Sequence, residues 1–200
     1  SGDQARDATA YVNTNLDLYR VGRVDNGQLF ATGTTGTVDV NGNLGSSVFT
    51  FGQDVSRLDV AGSVANSLVQ VGVSPGTDGM FGTADFGEET NRASLDRMTV
   101  GRTIGGSVVA VSGDFGSLTV GRDVAGSSVS SGFSVGGAGV ADALADPSTF
   151  SSEVERDRVR GDAGRLIMDG DFNNVRVNGQ VRQSGALTAG VDPGDDGIFG

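Results

Sequence analysis

An eleven-residue loop that occurs twice holds the residues best suited to binding a ligand. Residues 72–82 read Gly-Val-Ser-Pro-Gly-Thr-Asp-Gly-Met-Phe-Gly, and residues 190–200 read Gly-Val-Asp-Pro-Gly-Asp-Asp-Gly-Ile-Phe-Gly. Aligned with the calcium loop of about twelve residues, both copies place an oxygen-bearing side chain at the first and fifth positions and a glycine at the sixth. Calcium takes about six to eight oxygen ligands around such a turn, so each loop is a candidate calcium site.

The alignment names the candidate metal ligands. The first position is Ser74 or Asp192, the fifth is Asp78 or Asp196, and the twelfth is Asp85. The third position is a glycine in both copies, which offers no side-chain ligand, so the match to the calcium loop is partial. An alternative interpretation is a metal-free double turn built on the Pro-Gly and Asp-Gly steps, pinned by the Met-Phe or Ile-Phe pair plugging the core.

The amino-acid composition makes oxygen the most abundant atom available for binding a metal ion. The 25 acidic residues are mostly Asp, all 14 basic residues are Arg, and the chain has no His and no Cys. Without Cys and His, a disulfide framework, the usual soft-metal sites and most nucleophile–base pairs are excluded. The net charge of -11 disfavours nucleic acid and anionic membranes as partners. No apolar run approaches the ~20 residues that cross a bilayer, so we expect no membrane insertion.

The segments that must position these loops repeat every twenty residues. Residues 98–107 and 118–127 have closely similar sequences, and further copies of the repeat lie at 18–24, 38–44, 58–64 and 175–181. Each period contains two short runs in which apolar and polar residues alternate, as in half-buried strands, separated by Gly and Ser clusters where the chain bends. A fixed period of this length is typical of a solenoid, in which each coil buries its apolar face only against its neighbours.

The sequence therefore predicts an all-β fold, a right-handed parallel β-helix with coils of about twenty residues. Stacking would place one interior column at Val40, Val60, Val100 and Val120, and another at Phe49, Val69, Val109 and Val129. The handedness follows from the chirality of parallel connections. A β-sandwich is the alternative fold, but it would not require the repeat to keep its phase.

The repeat also predicts the domain organisation. We expect residues 1–200 to form a single solenoid domain, with coils at about 18–72, 98–132 and 166–190 and inserts at 73–97 and 133–165. Gly72, Gly132 and Gly190 fall at nearly equivalent points of their coils, so the excursions should leave from one edge, which is commonly the working face of a repeat protein. Within the second insert, an N-cap and a proline predict a short helix over 147–158.

Other charged residues fall at repeating positions. Asp54, Asp114 and Asp171 each precede an apolar residue (Val55, Phe115 or Phe172) that lies three residues before the next predicted strand. We expect each acid to accept from the backbone of its own turn; stacked cation ligands or paired acids are the alternatives. Two further pairs, Asp39/Asp59 and Arg102/Arg122, form outward rows of like charge. Like charges on adjacent strands repel, so these rows should be accompanied by counter-ions or neutral neighbours.

The VxVxGxV coils with their PGxDGxFG loops resemble the repeat regions of large bacterial cell-surface and secreted proteins. The motifs are degenerate and specify architecture more than activity. The resemblance implies an extracellular or cell-surface stalk, matrix component or adhesive fibre, often stabilised by calcium. The acidic loops would bind the calcium and the continuous strand ladders would provide stiffness.

The two ends of the sequence match the interrupted loop. Reading from Gly200 into Ser1 puts Asp3 in register with Asp85, so Asp3 is a further candidate ligand. We therefore expect the chain to be one period of a larger array that associates head-to-tail, with the loop completed across the junction. The alternative is that Ser1 and Gly2 are a scar at an arbitrary cut.

Two further function classes remain open. A glycan or a cell-surface protein could bind along the row of loops. Parallel β-helices also include polysaccharide-degrading enzymes, but this chain has no His, Lys or Trp and only two Tyr, and no carboxylate pair stands out from the repeat. We therefore expect a structural and adhesive role and no catalytic activity.

Overall fold

The computed structural model describes residues 4–75, 81, 91–132, 170–182 and 186–189. These residues form twenty β-strands. No helix among them is long and apolar enough to cross a membrane. The predicted short helix at 147–158 lies outside the described residues.

The strands form three parallel sheets, each running the length of the stack. Sheet A contains seven short strands: β1 (Gln4–Arg6), β4 (Arg23–Asp25), β7 (Leu44–Gly45), β10 (Val64–Ala65), β13 (Ile104–Gly105), β16 (Val124–Ala125) and β19 (Val181–Arg182). Sheet B contains seven strands of four residues: β2 (Thr9–Val12), β5 (Gln28–Ala31), β8 (Val48–Phe51), β11 (Leu68–Val71), β14 (Val108–Val111), β17 (Ser128–Ser131) and β20 (Ala186–Ala189). Sheet C contains six strands of six residues: β3 (Leu16–Val21), β6 (Thr35–Val40), β9 (Val55–Val60), β12 (Leu95–Val100), β15 (Phe115–Val120) and β18 (Phe172–Val177).

The chain visits sheets C, A and B in that order in each complete coil, and each strand pairs in parallel with its equivalent in the coils before and after. The predicted parallel β-helix is therefore confirmed. Each coil has three strands, whereas the alternating runs predicted two. The additional strand is that of sheet A, which in most coils is only two residues long and so too short to show an alternating pattern.

The predicted interior columns are present. In sheet C, Val60 pairs in register with Val40 and with Val100, and Val100 pairs with Val120. In sheet B, Val69 and its equivalents continue the column of Phe49 in the same way. These side chains are almost fully buried in one continuous cluster that also contains Phe51 and Phe115. Burying one such side chain contributes about 1.5–3 kcal/mol, so the stacked columns are the main source of stability.

The first coil is displaced by one residue from the predicted register. Val21 pairs with Val40, a separation of 19 residues, and Tyr19 pairs with Val38. Tyr19 takes the interior position and packs edge-on against Phe49, with ring centroids 6.3 Å apart, and its burial raises the pKa of its phenol. Leu18, which the twenty-residue period aligned with Val38, is 53% exposed. Val24 pairs with Leu44, so the chain takes three residues from Val21 to Val24 but four from Val40 to Leu44, and this one-residue difference accounts for the displacement.

A column of buried serines closes the corner between sheets A and B. The backbone N–H of Ser47 donates to the Oγ of Ser67 at 3.1 Å, and the same 3.1 Å bond links Ser67 to Ser107 and Ser107 to Ser127. Each of these hydroxyls also donates to the carbonyl two residues earlier in its own turn, at 2.6–3.0 Å. One hydroxyl per coil thus satisfies a backbone donor and a backbone acceptor where the strands are interrupted.

Side chains bridge the corner between sheets C and A as well. The N–H of Ser63 donates to the side-chain oxygen of Asn43 at 3.0 Å, and the N–H of Gln180 donates to the carboxylate of Asp123 at 2.9 Å. The bond from Gln180, together with the charge of Arg182, holds the pKa of Asp123 below its usual range. Because this pKa is lowered in the folded protein, the contact contributes its full stabilisation at pH values above the ordinary aspartate pKa. That stabilisation is lost as the pH falls through the lowered pKa.

The outward acids of sheet C are paired. Asp39 accepts from Arg20 at 2.9 Å, and Asp59 accepts from Arg57 on its own strand. The hydrogen bond and charge of Asp59 raise the pKa of the Arg57 guanidinium. The expected counter-ions of the Asp39/Asp59 row are therefore arginines of the same face. These are exposed pairs, so each contributes little to stability.

Replacing Ser107 with Ala should destabilise the protein by about 1–3 kcal/mol, because the buried N–H of Ser67 would lose its acceptor. The measurement is urea unfolding followed by circular dichroism. Ser56→Ala is the matched control, since Ser56 is exposed on β9 and should change the free energy of unfolding by less than about 0.5 kcal/mol. Equal effects of the two substitutions would contradict the role given to the serine column.

Candidate functional site at the insert corner

The corner between sheets B and C is where the chain leaves the coil. We call it the insert corner. The residue that follows each sheet B strand lies in one column there, which contains Thr32, Gly52, Gly72, Ser112 and Gly132. Backbone N–H groups of this column donate to the coil before, for example Gly72 to the carbonyl of Phe51 at 2.7 Å. Both described exits, after Gly72 and after Gly132, therefore leave from the same edge, as the sequence predicted.

Backbone conformation decides whether the chain leaves. Gly72 and Gly132 have positive φ values of 91° and 71°, a region that side chains rarely adopt. Thr32 and Ser112 occupy the same column in uninterrupted coils, and neither has a positive φ. A left-handed glycine at this column therefore turns the chain outward, and a residue with ordinary φ lets it continue into the next sheet C strand.

The base of the first insert, which joins β11 to β12, is closed by hydrogen bonds between its two limbs. The N–H of Asn91 donates to the carbonyl of Gly72 at 2.8 Å, and the side-chain amide of Asn91 donates to the hydroxyl of Ser74. The hydroxyl of Ser112 bonds to the carbonyl of Asn91 and accepts from the N–H of Ala93 at 3.0 Å. Ser112 of the next coil thus anchors the returning limb.

The base of the second insert, which joins β17 to β18, is closed in a related way. The N–H of Gly132 donates to the carbonyl of Gly113 at 3.1 Å. The hydroxyl of Ser131 lies 2.9 Å from that same carbonyl and 3.0 Å from the carbonyl of Asp171 on the returning limb. Both inserts are therefore held at their bases by a serine hydroxyl and by backbone hydrogen bonds to a neighbouring coil.

The carboxylates at this corner bind backbone rather than one another. Asp54 accepts from the N–H of Ser94 at 2.8 Å, and Asp114 accepts from the N–H of Asp171 at 3.2 Å. Both bonds reach the next coil, whereas we expected these acids to bond within their own turns. Coils stack about 4.8 Å apart, so a carboxylate at the corner can reach a backbone N–H of the adjacent coil that no strand pairing satisfies. Arg92 also approaches Asp114 at 3.5 Å.

The outer face of sheet B is buried and carries apolar residues together with a few polar ones such as Thr50 and Gln70. Phe81 of the first insert is only 4% exposed and stacks on Phe30, with ring centroids 5.5 Å apart and planes inclined by 14°. Its ring also lies 6.1 Å from that of Tyr11. The apolar residue expected to plug the core therefore packs outside it, in a second cluster with Val48, Leu68, Val73, Val108 and Ala110.

Of the predicted metal ligands, the structure describes Ser74 alone. It lies at the base of the first insert, bonded to Asn91. The five aspartates of the prediction, Asp3, Asp78, Asp85, Asp192 and Asp196, lie outside the described residues. Within the described ranges there is no group of three or more acidic side chains arranged to hold a metal ion. The calcium sites therefore stay a prediction.

The charge of the protein is carried outside the described coils. The described residues include ten Arg and ten Asp, so this part of the chain has no net charge. The remaining residues hold four Arg and 15 acidic residues, which gives the whole net charge of -11. The described coils are thus neutral, and the acidic charge belongs to the remaining segments, which include the two inserts. Acidic segments of this composition attract cations.

Comparison with known proteins gives no relative for this chain. No protein-family model matches it, and neither the curated proteins nor the solved structures contain a significant match. Functional inference therefore rests on the insert corner, the charge distribution and the exposed surfaces of the coils.

Replacing Gly72 with Ala should destabilise the protein by more than about 1–2 kcal/mol, the usual cost of a left-handed conformation for a residue with a Cβ. A Cβ would also lie 1.8 Å from the Ser112 hydroxyl and 2.4 Å from the Asn91 carbonyl. Thermal unfolding followed by circular dichroism measures the loss. Gly105→Ala is the control, because its Cβ would meet nothing closer than 3.9 Å; a variant at Gly72 as stable as this control would refute the exit mechanism.

Proposed function

We propose that this protein is an extracellular structural segment, a stiff shaft with a row of acidic, calcium-binding loops along one corner. What supports the proposal most directly is the separation of charge. The coils are neutral, and all the net negative charge belongs to segments that include the inserts leaving from that corner. The resemblance to repeat regions of bacterial cell-surface and secreted proteins supports the extracellular location.

The calcium part of the proposal fits the ligand set of the loops. Each loop lacks a side-chain ligand at the third position, so its affinity should be low. Extracellular calcium modules have Kd values of about 10⁻⁴–10⁻³ M, and such sites fill outside the cell, where calcium is abundant. Calcium would neutralise the aspartates of both loops, and in the first loop it would tie the loop to its base, where Ser74 and Asn91 are bonded to each other.

Calcium should raise the melting temperature of the protein, and a chelator should lower it. At a calcium concentration one hundred times the Kd, one site stabilises the folded state by about 2.7 kcal/mol. In the Asp78→Asn/Asp196→Asn variant the effect should be largely lost. The control variant Asp17→Asn/Asp96→Asn removes the same charge from exposed positions of sheet C and should respond like the unmodified protein. Absence of bound calcium by titration calorimetry would refute this part of the proposal.

The exposed interior of the last coil supports self-association. Val175 and Val181 are in register with Leu118 and Val124 of the coil before. Those two partners are 1% and 0% exposed, whereas Val175 and Val181 are 37% and 45% exposed. Among the described residues no further strand pairs with the far side of β18, β19 or β20, and such a partly exposed end is a surface on which another coil can stack. A head-to-tail contact of this kind produces a filament.

Head-to-tail stacking has a specific electrostatic signature. If sheet A continued from β19 into β1 of a second copy, Arg182 would fall beside Arg6 in the extended register. Since like charges on adjacent strands repel and salt screens exposed charges, association should strengthen as the salt concentration rises.

Electron microscopy and solution scattering should therefore show filaments whose length increases with salt. Val175→Asp should shorten them, because it places a charge in the stacking interface. Asn174→Asp adds the same charge on the exposed side of the strand and should leave the filaments unchanged. A monodisperse monomer at high salt and in calcium would exclude head-to-tail association.

A further inference from the structure

Four arginines of the last three described coils have no acidic partner in the part of the chain that the structure describes. Five other arginines among the described residues do form ion pairs: Arg20–Asp39, Arg23–Asp25, Arg57–Asp59, Arg92–Asp114 and Arg182–Asp123. The four without an acid are Arg97, Arg102, Arg122 and Arg176, all of them exposed. Arg176 donates to the side chain of Asn178 at 2.9 Å, which leaves its charge uncompensated.

Two of these arginines are directly stacked. The N–H of Arg122 donates to the carbonyl of Arg102 at 2.9 Å, so the two residues occupy the same position in adjacent coils, about 4.8 Å apart. Their column continues into Gly62 on one side and Gly179 on the other, through backbone bonds of 3.0 and 2.9 Å. Both flanking residues are glycines, so their own positions add no side chain to the column; the carboxylate of Asp123 lies against Gly179, 2.2 Å from where a Cβ would be.

The remaining residues extend this pair into a patch. Thr99 and Thr119 pair in register on sheet C, and Arg176 follows Thr119 in the next strand. We call this surface the arginine face: the four arginines named above with Thr99 and Thr119. Asp123, the acid next to Arg122 in sequence, is occupied by the N–H of Gln180 at 2.9 Å and by Arg182 at 2.8 Å. The charge of Arg122 adds to that of Arg182 in lowering the pKa of Asp123, but neither Arg102 nor Arg122 forms an ion pair within the described residues, and the two stacked charges repel each other.

An anion bridging the two guanidinium groups would relieve that repulsion. Guanidinium groups bind carboxylate and sulfate through paired hydrogen bonds. Thr99 and Thr119 lie three residues before the two arginines, on β12 and β15, and their hydroxyls can bond to neutral oxygens. The coil spacing of about 4.8 Å is close to the length of one sugar unit, so consecutive acidic sugars can engage consecutive arginines. The face contains no aromatic side chain on which a nucleic-acid base could stack.

We propose that the arginine face binds a linear acidic polysaccharide laid along the solenoid axis, with carboxylate or sulfate groups of successive sugars on Arg102 and Arg122. The site lies on the shaft, so it is independent of the calcium loops and of end-to-end stacking. The chain would then hold an acidic polymer on one surface in spite of its overall negative charge.

The test is affinity electrophoresis with polygalacturonate and a sulfated glycan as probes, and with neutral dextran and single-stranded DNA as comparisons. We expect retardation by one or both acidic glycans that weakens with salt, and none by dextran. The Arg102→Gln/Arg122→Gln variant should lose at least about tenfold in affinity, since a charged hydrogen bond contributes about 1.5–3 kcal/mol. The control Arg20→Gln/Arg57→Gln removes the same charge from paired arginines and should bind almost normally.

A second measurement needs no variant. Phenylglyoxal modifies accessible arginines, and mass spectrometry locates the adducts. The bound glycan should protect Arg102 and Arg122 and leave Arg57 reactive. No binding at low salt, equal losses in the two double variants, equal or tighter binding of DNA, or uniform protection of all arginines would each overturn the proposal.

Discussion

The backbone hydrogen bonds that pair the described strands all run between different coils, and this constraint governs the rest of the structure. An inner strand of sheet C has its partners in the coils before and after it, about twenty residues away where the coils are uninterrupted and 40 or 57 residues away across an insert, and the same arrangement holds in sheets A and B. No coil can satisfy its own donors or bury its own apolar side chains. Residues at equivalent positions must therefore be mutually compatible, which is why valines follow valines in the core and serines follow serines at the corner.

The corners show how the constraint extends beyond the strands. Where strands end, the backbone still has donors and acceptors to satisfy, and short polar side chains take over the bonding. Ser67 at one corner, Asn43 at another and Asp54 at the third each accept a backbone N–H from an adjacent coil. The stack is thus hydrogen-bonded around most of its perimeter, and these short polar side chains at the corners are part of the framework.

Much of the fold could be predicted from the sequence because the repeat is strict in the middle of the chain. The positions of Val60 and Val69 followed from counting twenty residues. The strands of sheet A were not predicted, because most of them have only two residues and are too short to show an alternation of apolar and polar residues. The register of the first coil failed because a single shortened turn exchanges Leu18 and Tyr19 without changing the apolar character of the segment.

The site was predictable in part. Gly72 and Gly132 marked the exits because the repeat is interrupted after them, and both have the left-handed conformation that such a turn needs. The partner of Asp54 could not be predicted, because sequence does not tell whether a carboxylate bonds within its turn or across to the next coil. The location of Phe81 outside the core was equally hidden, since an apolar residue suits either side of a covered sheet.

At the insert corner, the number of residues in an insert does not affect the register of the strands on either side of it. Strands β11 and β14 stay in register although 40 residues separate their equivalent positions, and β15 and β18 do so across 57. Because the entropic cost of closing a loop grows only slowly with its length, segments of very different size can be accommodated there without disturbing the stack. The uninterrupted column positions, such as Thr32, are thus natural points at which foreign peptides could be grafted for display.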